Sequence, residues 1–240
     1  MKHLILSLIT LFTLNAFSQD TKTVLDPNAT PRTLSGSFTA ISVTDGIDLF
    51  LTQGTEEKVA VSAAEDKYLE RFRTEVVDGV LKLYFDNKGI NWALNINRKL
   101  KAYVSFKTLE KLSASGGASV KGDGVFTVTD LVMKFTSGSH FTGQVDAKSM
   151  DVDQNSGAGV SISGKAEKIK VECSSGALFK GYDLVVDYCD AKASSGGGVH
   201  ITINKELSAK ANSGGGIRYK GAALIRDVNI SSGGIVKKEK

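Results

Sequence analysis

Lys180, His200, Arg218 and Lys237 recur at intervals of 20, 18 and 19 residues, each five places after a Ser-Gly pair. A repeating backbone that brings these positions into line would stack four basic groups a few ångströms apart. They repel one another unless something neutralises them. Asp183 and Asp187 are the nearby candidates within the chain. The other candidate is an anionic ligand, such as an acidic glycan or a lipopolysaccharide head group, lying along the stripe. A basic edge screened by salt, with no ligand, is the plainer outcome of the same residues.

Other chemistry finds little support. His140 and His200 fall at different repeat positions, three and five after the pair. No HExxH, His/Cys cluster or EF-hand loop occurs, so no metal and no cofactor is expected. Serine is abundant, yet no G-x-S-x-G elbow joins a strand to a helix, and no catalytic residue is assigned. The glycine-rich phrases lack the Walker lysine and the following helix that a phosphate loop needs. Solenoid enzymes that cleave acidic polysaccharides line up aspartates on one outer face. Here the outward columns read Asp151, Lys170, Asp190 and Asp153, Glu172, Lys192, Lys210, with mixed signs that suit a solvated, partly ion-paired surface. The net charge of +4 is too small and too mixed for nucleic acid, and no nucleic-acid-binding motif appears.

The elements that would position the stripe come from the repeat itself. Ser-Gly pairs begin at Ser115, Ser137, Ser156, Ser175, Ser195, Ser213 and Ser232, in steps of 22, 19, 19, 20, 18 and 19 residues. Six residues before the serine stand Leu131, Met150, Ile169, Cys189 and Leu207, with Arg226 breaking the series. Four before stand Met133, Val152, Val171, Ala191, Ala209 and Val228. Polar residues fill the alternate places, which is the period of a strand with one buried face. A unit of about 20 residues cannot bury such a face alone, but stacked copies can. The pattern predicts a right-handed parallel β-solenoid (β-helix), because parallel crossovers are nearly always right-handed. The first copy aligns better one residue late, on Gly116. Glycine at each corner supplies the positive φ of a tight bend. The small polar residue before each anchor (Thr136, Asn155, Ser174, Ser194, Asn212, Ser231) can hydrogen-bond up the column.

In this register Cys173 and Cys189 lie on adjacent coils, roughly 13 Å apart laterally at ~3.3 Å per strand residue. A disulfide needs Cα atoms within about 7 Å, so two buried free thiols are expected. Residues 19–35 hold both prolines and no apolar period, and read as a mobile lead-in. From Phe38 onward the chain reads as short strands, including WALNI and a hairpin at Asp78-Gly79, with AAEDKYLERF as a short helix. This section, 36–110, forms either irregular first coils or a cap, and 111–240 the regular repeats of one domain. The terminal KKEK would help protect the other end.

Residues 1–18 read as a signal peptide: Lys2, an apolar run from Leu4 to about Phe17, and Ala16-Phe17-Ser18 as the cleavage site. SGSFTAISVTDGIDLFLTQGTEEKVAVSA, VVDGVLKLYF and the repeated SGG corners resemble the putative auto-transporter adhesin, head GIN domain family, over about residues 36–236. Gly46-Ile47-Asp48 stands where that family has Gly-Ile-Asn. The resemblance implies a β-solenoid at the envelope of a Gram-negative-type bacterium, and no catalytic residues. The leading expectation is an exported, non-enzymatic adhesin that presents a flat face to glycan or protein. A polysaccharide lyase on the same scaffold is one alternative. A periplasmic structural or envelope-sensing module with a protein partner is the other. No membrane span is expected in the mature chain.

Overall fold

The computed structural model describes residues 26–89 and 98–240. The signal-peptide segment and the strand expected at WALNI lie outside the described residues. The described residues are 64% strand and 2% helix, wound into a β-solenoid of about seven turns. In chain order the elements are β1 (Thr30–Arg32), β2 (Ala40–Val43), β3 (Asp48–Gln53), β4 (Lys58–Ser62), α1 (Asp66–Leu69), β5 (Phe72–Val77), β6 (Val80–Phe85), β7 (Lys101–Phe106) and β8 (Lys111–Ala114). The long strands follow: β9 (Ser119–Phe135), β10 (His140–Gln154), β11 (Gly159–Cys173), β12 (Leu178–Ala193) and β13 (Gly198–Ala211). The last coil is β14 (Gly216–Lys220), β15 (Leu224–Ile230) and β16 (Ile235–Lys238).

The stacking register follows the hydrophobic alternation. Leu131, Met150, Ile169, Cys189 and Leu207 are partners in successive parallel pairs. Met133, Val152, Val171, Ala191, Ala209 and Val228 form the next column. All but Val228 are buried in one continuous core. Each buried Val, Leu or Ile contributes about 1.5–3 kcal/mol, and only this register gives every coil a covered inner face.

The corners are tighter than glycine alone explains. From Ser137 onward each anchor serine itself has positive φ, from +47° at Ser232 to +54° at Ser137, and the glycine after it lies between +71° and +75°. Two left-handed residues in a row make a turn closed by bonds such as Ala158 N–H to Asn155 O, 3.2 Å. The serine's left-handed backbone costs about 1–2 kcal/mol. A ladder offsets it: Gly138, Gly157 and Gly176 N–H donate to the carbonyls of Ser156, Ser175 and Ser195 on the next coil, at 3.0–3.2 Å. Thr136 Oγ1 also donates to Asn155 Oδ1 between coils. Gly116 and Gly117 are the positive-φ pair of the first repeat, as the shifted alignment requires, and Asp45-Gly46 makes the same corner one coil earlier.

The opening section is both coil and cap. β2 and β3 flank the Asp45-Gly46 corner and stack on β8 and β9. β6 and β7 lie on their other side, also parallel. Chain order is thus broken: β2–β3 is inserted between two later coils. The outermost layer runs backward. β5 pairs antiparallel with β6, and β4 with β7. The Asp78-Gly79 turn joins β5 to β6, and the expected helix is reduced to α1. The expected lead-in contains a strand. β1 pairs antiparallel with β4, with Pro31 opposite Ala60, and a proline suits an edge because it has no N–H to offer.

Candidate functional site

The ladder begins with the corners. Each one aims the next strand segment so that the fifth residue after the anchor points outward. Lys180 pairs with His200, His200 with Arg218, and Arg218 with Lys237. The four residues therefore share one outer line, about 4.8 Å apart per coil. Lys180, Arg218 and Lys237 are exposed and His200 half-buried.

Charge compensation differs from the sequence expectation. Asp187 is held by Lys205, at 2.7 Å. The residue that faces the ladder is Glu239, with Oε1 2.7 Å from Arg218 Nη1 and 3.7 Å from Lys237 Nζ. The hydrogen bond from Arg218 holds the Glu239 carboxyl below its ordinary range. Burial, reinforced by Arg218 and Lys180, lowers the pKa of His200 from its ordinary value and so favours the neutral imidazole.

The structure adds residues that spacing missed. The Tyr182 ring stacks on the His200 ring, with centroids 5.0 Å apart and planes 9° apart. Lys220 Nζ lies 5.0 Å from the same Tyr182 centroid. Tyr182 escaped alignment because the β12 register shifts after Gly181. Lys121 extends the line at the other end, paired with Thr142 and with Phe50. Counting from Gly116 rather than Ser115 would have placed it five after the anchor. Phe50 stacks on Tyr103 at 5.1 Å and 12°, and Lys121 Nζ sits 5.7 Å from the Phe50 centroid. The full column runs Tyr103, Phe50, Lys121, Thr142, Ser161, Lys180, His200, Arg218, Lys237. It is roughly 38 Å long at 4.8 Å per step. Aromatic rings stand at one end, hydroxyls in the middle, and cations at the other end, beside Tyr182.

The acidic positions lie elsewhere, and several are engaged. Two shallow grooves of about 600 Å³ run along other parts of the coil surface. Asp146 there pairs with Lys165, Asp151 with Lys170, and Glu206 with Arg226, at 3.1–3.6 Å. Glu172, on the outer column beside them, bridges Lys170 and Lys192 at 3.2 and 2.9 Å. Among the described residues no group of three or more His, Cys, Asp or Glu converges as a metal set. Cys173 and Cys189 are free and buried. Burial pushes the Cys173 thiol up to about 12 and raises Cys189 as well, which opposes nucleophilic use. Among the described residues no helix is long and apolar enough to cross a membrane.

Solved structures with this fold exist. A crystal structure of a putative adhesin from Bacteroides fragilis superposes with a TM-score of 0.80 at 17% identity, covering 88% of this chain and 96% of that one. One from Parabacteroides distasonis, also described as a putative adhesin, gives 0.71 at 19% identity, covering 89% and 98%. A protein of the same organism described as a putative lipid binding protein gives 0.62 at 17%, covering 90% and 98%. No curated protein matches the chain. The sequence profile described as "Putative auto-transporter adhesin, head GIN domain" matches residues 37–223, and the chain belongs to that family.

Proposed function

We propose that this protein is an exported, non-catalytic binding module of the bacterial cell surface that holds acidic glycans along the Lys180–Lys237 ladder. One observation carries the reading: the register aligns Lys180, His200, Arg218 and Lys237 in a single outward column. Glu239 pairs with Arg218 and Lys237, while Lys180 stands in the same column and Lys220 lies over the Tyr182 ring, so cations outnumber the carboxylate that pairs with the ladder. A flat array of cations with aromatic rings suits an extended acidic sugar chain. Carboxylate or sulfate groups meet lysine and arginine, and apolar sugar faces lie against rings such as Tyr182. The family and neighbour descriptions as adhesins fit a surface role. Ion pairing of Asp146, Asp151 and Glu206 speaks against their use as free general acids or bases.

The test is an array of acidic and neutral glycans probed with the wild type and with the Lys180→Ser/Arg218→Ser double variant. Retention on acidic glycans alone, lost in the variant, supports the proposal. Retention that is indifferent to glycan charge or to the substitutions refutes it.

A further inference from the structure

The two ends of the solenoid are built differently. At one end antiparallel β4 and β5 close the stack, and the three-residue β1 with its proline finishes the edge. At the other end β15 hydrogen-bonds only to β13, so among the described residues its second edge is unpaired. Leu224 is 68% exposed, Ile225 40%, Val228 39% and Ile230 50%. Ile225, Val228 and Ile230 continue the inner columns of Leu207, Ala209 and Ala211, with nothing described above them. The neighbouring edge strand β16 is blunted, because Lys238 takes the inward place opposite Tyr219. An inward charge of this kind discourages edge pairing. The apolar open edge is therefore β15.

β15 also carries a bulge. Leu207 pairs with Ile225 and Ser208 with Asp227, which leaves Arg226 as the extra residue. The bulge brings Ile225 and Val228, three apart in sequence, to the same inner side. Consider a second β15 laid antiparallel, with a two-fold axis between Arg226 and Asp227. Ile225 then faces Val228 of the second copy, and Ala223 faces Ile230. Arg226 faces Asp227, and symmetry repeats every contact. Leu224 faces Asn229, and otherwise apolar residues meet apolar ones and cation meets anion in one register. We infer that β15 is a self-association edge, at which a second copy of this chain adds its own β15 and two solenoids join end to end. Within one copy Arg226 Nη1 also lies 3.1 Å from Glu206 Oε2 of the preceding coil.

Sedimentation velocity on the full chain tests the inference, with circular dichroism confirming that each variant is folded. The wild type should show a concentration-dependent monomer–dimer equilibrium. Arg226→Asp and Asp227→Arg place like charges opposite each other, so each alone should dimerise at least tenfold more weakly. An equimolar mixture of the two restores opposite charges at both places and should dimerise like the wild type. A wild type that stays monomeric, whether or not it captures another protein, overturns the inference. So does a mixture no tighter than either variant alone. None of these readouts depends on glycan binding.

Discussion

Arg218 and Glu239 meet across the last two coils, guanidinium Nη1 to carboxylate Oε1 at 2.7 Å. The same carboxylate reaches Lys237. Glu239 thus restrains two of the three cations in the ladder, Arg218 and Lys237, and competes with any anion for them. Glu239→Gln removes that competitor without removing a cation. The variant should bind an acidic oligosaccharide several-fold more tightly than the wild type, measured by fluorescence or calorimetric titration. Weaker binding would mean that Glu239 orients Arg218 for the ligand rather than occupying it.

His200 makes the ladder responsive to pH. Its folded pKa lies below 6.5, first through burial and then through Arg218 and Lys180, with Glu239 opposing. Well above the ordinary imidazole pKa both folded and unfolded chains carry it neutral, and it adds no pH dependence to stability. As pH falls below 6.5 the unfolded chain takes up the proton first, so stability from this group is lost toward its lowered folded value. The same proton adds a charge to the ladder, while Glu239, with its own pKa lowered, stays ionised. Anion binding should therefore tighten between pH 7.5 and 5.5 in the wild type and stay flatter in His200→Gln. NMR titration should find the free His200 pKa below 6.5 and rising when an acidic oligosaccharide is present. A free value at or above 6.5 would contradict the burial assignment.

Most of the regular stack was legible because a period of about twenty residues and a period of two coincide in it. Ile169, Cys189 and Leu207 could be placed on neighbouring strands from spacing alone, and they pair so. Spacing failed where the backbone breaks its own period. The bulge after Gly181 displaced Tyr182 onto His200, and no alternation announces a bulge. The out-of-order insertion of β2–β3 between β6–β7 and β8–β9 was equally hidden. Short strands fix their partners by tertiary burial and not by any local repeat. Glu239 was missed because it follows the last aligned position, where no later copy exists for comparison.

The inner columns can be challenged directly. Val171 is fully buried, with Val152 and Ala191 as its partners above and below. Val171→Asp would bury a carboxylate with no cation inside the shaft, at a cost of several kcal/mol. Thermal and urea melts should show a loss of at least about 3 kcal/mol or failure to fold. A variant that melts like the wild type would place Val171 on the outside.

The thiols give an independent reading of the same register. Cys173 pairs with Ala193, and Cys189 with Ile169 and Leu207, so the two sulfurs stand on adjacent coils but in different columns. A thiol reagent should count two free thiols in the denatured chain without reductant. The native chain should react far more slowly, since both groups are buried and their pKa values are raised. A count of zero without reductant would require a disulfide that this register forbids.

The most direct measurement is calorimetric titration of the wild type and of Lys180→Ser/Arg218→Ser with one acidic oligosaccharide and its uncharged counterpart, at low and at physiological ionic strength. The wild type should bind the acidic sugar alone and more weakly at the higher salt, and the double variant should lose that binding while melting at the wild-type temperature. Equal affinity for the uncharged sugar, or acidic binding untouched by the two substitutions, would contradict a ligand held by the stacked cations.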